Sequence, residues 1–339
     1  MNDLAVRTAD YHTAGEPFRI VAEPPVAVRG RSVAERRALA ASDPDVEGLR
    51  QLLCYEPRGH ADMYGAFITP PDDTDAHFGA LFWHKDGFST ACGHGTIALG
   101  VWALQTGRVS FSPTGLTDVV IDVPSGRVVA RVHAEGQRIT SVDFVNVPSY
   151  VSSRNLTVAT TRGPVAATIS FGGAFYASVD ATSVGLTVAP QQLQDLIALG
   201  REIKQKLADS PAAQHPSDER LSGIYGTIFF EDLGQDQAGN RHQRNVTIFA
   251  DGEVDRSPCG SGTCARLADL ADSGQLAIGQ AFTHDSIVGT RFRAQLLEHV
   301  TVDGRPAVIP QVTGMAYKTG EHAFCVDPDD ELTPGFVLR

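Results

Sequence analysis

The chain has 339 residues, of which 42% are hydrophobic and 20% charged, and its formal net charge is −12. These proportions are typical of a globular protein long enough for two domains. The acidic balance argues against nucleic acid or an anionic membrane surface as a partner. No apolar run reaches the length of a transmembrane helix, no signal peptide is visible, and five cysteines do not indicate a disulfide framework. We therefore expect a cytoplasmic protein with reduced thiols.

The N-terminal segment predicts a β-hairpin. Residues 4–22 contain two apolar runs separated by His12-Thr13-Ala14-Gly15-Glu16-Pro17. A glycine and a proline in such a connection are typical of a loop between strands. His12 and Glu16 are therefore expected to lie in a loop that connects two strands. A contact of either residue with a substrate is the alternative.

Helical and strand-like segments then follow along the chain. Residues 33–53 predict a helix broken at Pro44, with Cys54 in the core at its end. A second helix is predicted over 190–207, where apolar residues recur at helical spacing. Strand-like runs are predicted at 63–70, 78–83, 109–111, 118–123, 127–132, 141–147, 156–160, 165–170, 174–180, 223–231 and 245–250, and along 286–339 with turns at Asp303-Gly304, Thr319-Gly320 and Pro334-Gly335.

One motif occurs twice in the chain. Cys92-Gly93-His94-Gly95-Thr96 reappears as Cys259-Gly260-Ser261-Gly262-Thr263. Each copy leads into a helix-compatible segment that stops at a glycine fifteen residues after the cysteine, at Gly107 and Gly274. Because the motif and the distance to the stop are both shared, the repeat indicates two related halves with a boundary near Pro148.

The repeated motif has a chemical consequence. Glycines at a helix start let the backbone approach a ligand, and the amide groups of the first turn favour an anion. A cysteine at the same place has its thiolate stabilised. If the halves face one another, Cys92 and Cys259 could flank one bound anion. That arrangement suits a reaction in which one thiolate removes a proton from a carbon and the other thiol returns one to the opposite face.

Other interpretations of the cysteines fit the spacing less well. A metal could be held through Cys92 and His94, or through Cys259 and Cys264, but neither pair has the spacing of a zinc site, so no metal is expected. The C-x4-C spacing of Cys259 and Cys264 also differs from the C-x-x-C of thioredoxin-like redox proteins. A phosphate-binding loop would end in Lys-Ser/Thr, which neither copy does.

The helix after Cys92 is apolar almost all round, which predicts that it is buried. Strand-like runs lie on both sides of it, and the second half repeats this order. A buried helix among many short strands suggests a helix wrapped by a curved sheet.

These motifs together resemble the proline racemase family, which includes proline racemase, 4-hydroxyproline 2-epimerase and trans-3-hydroxy-L-proline dehydratase. The most specific part is Asp255-Arg256-Ser257-Pro258-Cys259-Gly260-Ser261-Gly262-Thr263, which is paired with Cys92-Gly93-His94-Gly95. His12-Thr13-Ala14-Gly15-Glu16-Pro17 resembles the family's N-terminal His-Thr-x-Gly-Glu-Pro, and Gly172-Gly173-Ala174-Phe175-Tyr176 resembles its Gly-Gly-x-Phe/Tyr segment. The likeness covers nearly the whole chain.

The resemblance implies an α/β (α+β) fold similar to diaminopimelate epimerase. In that fold two pseudo-symmetric domains each contain a curved, mostly antiparallel sheet or barrel around a central helix, and the active site lies between the domains. We expect the first domain to comprise residues 1–147 with 321–339, and the second to comprise 148–320.

The resemblance also implies a mechanism without a cofactor, in which the Cα of a small amino acid is deprotonated and reprotonated. Cys92 and Cys259 are the expected acid and base. Backbone amides of both motifs would hold the substrate carboxylate, while an aspartate and a histidine would contact the ring amine. The substrate-binding residues implied in this way are Gly93, His94, Asp255, Gly260 and Ser261. The enzyme is expected to be a monomer or a homodimer.

Within the family, the second motif separates the reactions. The dehydratases that this chain resembles carry Thr in place of the second Cys, because elimination needs only one strong base. Cys259 therefore favours an isomerase, and we expect a 4-hydroxyproline 2-epimerase with some proline racemase activity. Dehydration of trans-3-hydroxy-L-proline is the alternative reaction. An alternative of another class is a non-catalytic amino-acid-binding or thiol-redox protein.

Overall fold

In the computed structural model, which describes residues 5–338, the chain divides into two compact units. The first unit comprises the described residues up to Thr140 and from Met315 onward, and the second comprises Ser141–Gly314. Each unit contains mostly antiparallel strands and one buried helix that begins at a copy of the repeated motif. The α/β class and the two related units, each with strands around a central helix, are confirmed as predicted from the sequence.

The described residues form the following elements. The strands are β1 (Ala5–Thr13), β2 (Glu16–Val21), β3 (Tyr64–Thr69), β4 (Phe78–His84), β5 (Gly87–Phe88), β6 (Leu116–Val123), β7 (Gly126–Glu135), β8 (Arg138–Val145), β9 (Tyr150–Thr160), β10 (Gly163–Phe171), β11 (Phe175–Asp180), β12 (Ile224–Gln235), β13 (Arg241–Phe249), β14 (Glu253–Asp255), β15 (Phe282–Ser286), β16 (Arg291–Val302), β17 (Arg305–Gly314) and β18 (Ala316–Cys325). The α-helices are α1 (Val33–Ala40), α2 (Pro44–Cys54), α3 (Gly93–Gln105), α4 (Leu193–Lys206) and α5 (Gly260–Asp272). Short 3-10 turns lie at Thr182–Val184, Pro190–Gln192, Pro211–Ala213 and Glu219–Leu221.

In the first unit, α3 is the central helix. It is buried from Gly93 to Leu104 because its sequence offers no polar face to water. β1 pairs antiparallel with both β2 and β18, β2 runs parallel to β3, and β3 pairs antiparallel with β4. β18 therefore places the C-terminal part of the chain in the sheet of the first unit. The predicted helix stop is confirmed, since Gly107 has a φ of +71°.

In the second unit, α5 has the corresponding position. It is buried from Gly260 to Leu270 and packs against β9, β10, β11 and β17. β9, β10 and β11 form an antiparallel meander, and β11 pairs in parallel with β12. β13 pairs antiparallel with β12 and in parallel with β15. Gly274 ends the helix at a φ of +68°, as predicted.

The predicted break at Pro44 is confirmed. Pro44 takes the first position of α2, where it loses no hydrogen bond, and Asp43 caps that helix by accepting from the amide of Asp45 at 3.0 Å. Ser32 caps α1 in the same way by accepting from the amide of Glu35 at 3.1 Å. The expectation that Cys54 lies in the core is also confirmed.

The N-terminal hairpin has a tighter turn than the sequence suggests. β1 extends through Thr13 and β2 begins at Glu16, so the turn consists of Ala14 and Gly15 at φ values of 52° and 96°. Nδ1 of His12 accepts from the amide of Gly15 at 3.2 Å and closes the turn. His12 and Glu16 are therefore strand residues, and the prediction of a longer loop is wrong.

Two further expectations are wrong. Residues 109–111 form no strand, because the amide of Val109 donates to the carbonyl of Ala103 at 3.1 Å and so folds the segment back onto the end of α3. Thr319-Gly320 is not a turn. It lies within β18, where a β-bulge shifts the pairing register against β1.

Candidate active site

Cys92 is the N-cap residue of α3. Its backbone is extended, with φ −154° and ψ 101°, and its carbonyl accepts from the amide of Thr96 at 3.0 Å. Its Sγ accepts from the amide of Gly95 at 3.3 Å, so the thiol performs the capping that a serine or aspartate performs elsewhere. Cys92 is buried and lies at the positive end of the helix dipole.

His94 is fixed beside this thiol. Its Nδ1 lies 3.5 Å from Sγ of Cys92. The imidazole packs edge-on against Tyr64, with centroids 5.0 Å apart, and against Phe18 at 5.6 Å. Thr13 donates to the carbonyl of His94 at 2.9 Å, which ties β1 to the first turn of α3. The histidine is therefore held by contacts on its ring and on its backbone.

Two arginines of the preceding helices hold the segment that leads to Cys92. The guanidinium of Arg50, which is 2% exposed, donates to the carbonyls of His84 and Lys85 at 2.5 Å each. Nε of Arg37 donates to the carbonyl of Phe88 at 2.8 Å. The sequence analysis did not predict a role for either residue. The only indication in the sequence is that each is an arginine within a segment predicted to be helical.

Gly95 leaves no room for a side chain. A Cβ built on it would lie 2.3 Å from the ring of Phe18 and 2.7 Å from Sγ of Cys92. We therefore expect Gly95→Ala to lower kcat by about 100-fold or more, because a sub-ångström displacement of a reacting group can cost that much. The measurement is kcat on whichever substrate the unmodified enzyme converts.

Gly48 provides the matched control. It lies within α2, and a Cβ built there would meet nothing within 4 Å. Gly48→Ala should leave kcat unchanged and raise the free energy of unfolding by about 0.5–1 kcal/mol, because alanine is the better helix former. If kcat of Gly95→Ala stayed within twofold of the original value, the close packing around Cys92 would not be needed for the rate of the reaction.

Cys259 begins α5 with a different backbone geometry. Its φ of 60° and ψ of 106° lie outside the regions that non-glycine residues commonly adopt, and its side chain makes no capping hydrogen bond. The two copies of the motif therefore have the same sequence pattern but hold their cysteines differently. Strain of this kind is characteristic of functional sites.

Asp255 and Ser257 lie on the hairpin that leads to Cys259. Oδ1 of Asp255 accepts from the amide of Ser257 at 2.8 Å and from its hydroxyl at 2.7 Å, and Oγ of Ser257 accepts from the amide of Cys259 at 3.0 Å. Burial raises the pKa of Asp255. Burial and the adjacent Asp255 charge raise the pKa of the Cys259 thiol well above its ordinary value. The expected stabilised thiolate is therefore wrong for Cys259, which is held as a thiol.

The Gly172-Gly173 segment packs on the first turn of α5. A Cβ on Gly172 would lie 2.5 Å from the carbonyl oxygen of Ser261 and 2.7 Å from the amide of Ala265. The hydroxyl of Tyr176 lies 2.7 Å from Oγ of Ser261 and 4.0 Å from Sγ of Cys259. The turn between β10 and β11 thus approaches the helix closely enough to place the Tyr176 hydroxyl near the thiol.

Each unit thus assembles its own part of the predicted site. Cys92, Gly93 and His94 lie together in the first turn of α3. Cys259, Gly260 and Ser261 lie together at the start of α5, with Asp255 beside them. Cys264 lies one turn further along α5, fully buried, and burial raises its pKa. That residue is a core thiol.

Residues 8–337 match the family described as proline racemase. Over 333 residues the chain is 44% identical to a trans-3-hydroxy-L-proline dehydratase of Bacillus thuringiensis subsp. konkukian, with 98% of this chain and 97% of that protein covered. It is 41% identical over 336 residues to a 3-hydroxyproline 2-epimerase of Burkholderia multivorans, with 99% and 98% covered. A crystal structure of a hydroxyproline epimerase from Agrobacterium vitis with bound trans-4-hydroxy-L-proline has a TM-score of 0.91 at 30% identity, and the match covers 100% and 97% of the two chains.

Two pseudo-symmetric units, each with a central helix that starts at a Cys-Gly-x-Gly-Thr motif, define an enzyme of the racemase and epimerase class that works without pyridoxal phosphate. The chain belongs to the proline racemase family. The resemblance read from the sequence is therefore confirmed, and the non-catalytic alternative is set aside. Across residues 5–338, the helices are all too short or too polar to cross a membrane.

Proposed function

We propose that this enzyme is a hydroxyproline 2-epimerase in which Cys92 and Cys259 are the two acid/base groups. The observation that carries the proposal is that each of two pseudo-equivalent helices begins at a buried cysteine. The Cys92 thiolate removes the Cα proton from one face of the substrate, and the Cys259 thiol delivers a proton to the other face. The next turnover in the reverse direction exchanges these roles.

The helix starts also supply the electrostatic stabilisation that this chemistry needs. Loss of the Cα proton places negative charge on the substrate carboxylate, and groups aimed at developing charge lower the barrier most effectively. The amides of Gly93, His94, Gly260 and Ser261 occupy the first turns of α3 and α5, where N–H groups face outward along the helix axis. They are proposed to hold the carboxylate, while Asp255 and His94 contact the ring amine.

The surroundings of the two sulfur atoms suit this division of roles. Burial and, after it, the adjacent Asp255 charge raise the pKa of the Cys259 thiol, so this thiol stays protonated. Cys92 instead has the imidazole of His94 and the amide of Gly95 around its sulfur, both able to donate to a thiolate. The free enzyme would thus hold one base and one acid, as a two-base reaction requires.

We propose trans-3-hydroxy-L-proline as the substrate and cis-3-hydroxy-D-proline as the epimer formed from it. The sequence alone favoured 4-hydroxyproline, and the 30% identical structure with bound trans-4-hydroxy-L-proline supports that alternative. However, relatives at 44% and 41% identity carry names that place the hydroxyl at C3. The names of the more similar proteins thus support a hydroxyl group at C3 of the substrate ring. Cys259 supports epimerisation as the reaction.

Dehydration is the second candidate reaction, because the 44% identical relative is named as a dehydratase. Removal of the Cα proton from a 3-hydroxyproline leaves an electron pair next to the C3–OH bond. That pair can capture a proton, which gives the epimer, or expel hydroxide, which gives water and an unsaturated ring. A proton donor positioned on the opposite face favours the first outcome, and we propose Cys259 as that donor.

The test is proton NMR in D2O with reductant present, on L-proline, trans-4-hydroxy-L-proline and trans-3-hydroxy-L-proline. We expect loss of the Cα–H signal of trans-3-hydroxy-L-proline and appearance of a second diastereomer. Loss of the C3 proton signal with a new imine or keto product would instead establish dehydration. Polarimetry completes the test for L-proline, whose enantiomers give one spectrum. Turnover of the 4-hydroxy substrate alone would move the proposed hydroxyl to C4, and no exchange on any substrate would contradict the proposal.

A further inference from the structure

A buried network of hydrogen bonds lies behind Cys259. It contains His284 of β15, Asn245 of β13 and Thr263 of α5, which are all fully buried. Nδ2 of Asn245 lies 2.8 Å from Nε2 of His284 and 2.8 Å from the carbonyl oxygen of Pro258. Oγ1 of Thr263 lies 2.9 Å from Nδ1 of His284 and 3.0 Å from the same carbonyl. Both sides of the imidazole are thus linked to the carbonyl that precedes Cys259.

One tautomer of His284 fits the shorter contacts of both ring nitrogens, since Nδ2 of Asn245 lies 2.8 Å from Nε2 and 3.2 Å from Nδ1. Nδ2 of Asn245 can only donate, so Nε2 of His284 accepts and the ring proton lies on Nδ1. Nδ1 donates to Oγ1 of Thr263, whose own hydrogen is directed to the Pro258 carbonyl. Burial and the nearby charge of Arg266 lower the pKa of His284 to about 3, so the ring is neutral at physiological pH.

The backbone of Cys259 needs such support. A non-glycine residue at φ 60° and ψ 106° is strained and persists only where its surroundings fix it. The amide of Cys259 donates to Oγ of Ser257 at 3.0 Å, its carbonyl accepts from the amide of Thr263 at 2.7 Å, and the Pro258 carbonyl accepts from two side chains. The peptide groups on both sides of the strained residue are therefore anchored.

The first copy of the motif provides a comparison. Thr96, the counterpart of Thr263, donates to the carbonyl of Cys92 itself at 2.7 Å, and Cys92 is extended. Thr263 donates one residue earlier, to the carbonyl of Pro258. In the second copy the threonine hydroxyl thus donates to the preceding peptide group, and Cys259 has a left-handed backbone. The sequence motif, which both copies share, does not predict this difference.

We propose that His284 is a positioning residue for Cys259. It orients Asn245 and Thr263, which hold the Pro258 carbonyl and thereby set the direction of the Cys259 thiol. Its loss should affect proton transfer by Cys259 and leave the geometry of Cys92 unchanged. The catalytic part of this proposal rests on the proposed function, whereas the structural part can be tested without any substrate.

The substrate-free test is the rate of alkylation of each thiol by iodoacetamide, followed peptide by peptide with mass spectrometry. His284→Phe removes both hydrogen bonds of the ring, and Thr263→Val removes one hydroxyl at constant volume. In both variants, we expect Cys259 to react about threefold faster or more relative to Cys92, because the thiol leaves a fixed position beside Asp255. Thr263→Ser keeps the hydroxyl and should restore the original ratio.

Thr227→Val is the matched control. Thr227 is a fully buried threonine of the second unit whose hydroxyl donates to the carbonyl of Gly200 at 3.1 Å. Its replacement removes a comparable buried hydrogen bond and should not change the alkylation ratio. If the alkylation ratio changed as much in this control as in Thr263→Val, the unit would have loosened generally and the proposal would be overturned. An unchanged alkylation ratio in Thr263→Val would overturn it as well.

The catalytic readout is the ratio of epimer to dehydrated product from trans-3-hydroxy-L-proline. A misdirected Cys259 reprotonates more slowly, so Thr263→Val should lower this ratio and lower kcat by about tenfold, with KM within about twofold. A merely structural loss would lower both products together and would contradict the positioning role. If the unmodified enzyme converts no hydroxyproline, the proposed function fails while the alkylation ratios still decide whether His284 positions Cys259.

Discussion

Replacing Cys259 by threonine should abolish epimerisation and retain dehydration. Reprotonation on the second face needs an acid that can also act as a base, and a threonine hydroxyl is far too weak an acid for this role. Loss of one positioned acid/base group lowers a rate by roughly 10²- to 10⁴-fold, and we expect the epimerisation rate to fall by that factor. Elimination from trans-3-hydroxy-L-proline needs one base, so Cys92 should sustain it within about tenfold.

The measurement is product analysis by NMR, with chiral chromatography for the epimer. Cys92→Ser is the matched control, because it leaves the Cys259 side intact and removes the proposed base. That variant should lose both products. The proposed roles would be wrong if Cys259→Thr still formed the epimer at the original rate, or if Cys92→Ser kept full dehydration activity.

The sequence predicted the repeat and its helices well because both depend on local rules. The apolar surface of the segment after Cys92 required burial, and Gly107 and Gly274 could end the helices because glycine tolerates a positive φ. These features need no knowledge of distant contacts. The family resemblance then supplied the arrangement of strands around each helix.

The features that sequence reasoning missed depend on contacts between distant segments. Arg50 reaches the carbonyl of His84 across 34 positions, and Asn245 meets His284 across 39. Nothing in the residues around His284 marks it as a partner of the second thiol. The left-handed backbone of Cys259 is likewise hidden, because Cys92 in the same motif is extended.

Asp255→Asn should lower activity and raise the reactivity of the Cys259 thiol at the same time. The carboxylate is proposed to hold the cationic ring amine of the substrate, and loss of a charge-assisted hydrogen bond lowers kcat/KM by roughly 10- to 100-fold. The same negative charge disfavours the thiolate and so raises the pKa of Cys259. Asparagine removes this charge, and the pKa of Cys259 should fall.

A lower pKa of Cys259 should make its thiol more reactive at neutral pH. With a lower pKa, a larger fraction of Cys259 is thiolate at any pH below full ionisation, so iodoacetamide should modify it faster. The midpoint of its alkylation profile should move to lower pH. Burial alone also raises the pKa of this thiol, so the midpoint should remain above that of an exposed cysteine.

Asp251 offers a matched control on the same hairpin. It is exposed and forms an ion pair with Arg201 at 2.7 Å, so Asp251→Asn removes one negative charge close in sequence to the site. This control should change neither the profile of Cys259 nor kcat/KM. Unfolding of Asp255→Asn would accelerate alkylation of the buried Cys264 as well, whereas loss of one local charge leaves Cys264 protected. Opposite changes in activity and in Cys259 reactivity, with Cys264 protected, would therefore separate the electrostatic role of Asp255 from a structural one.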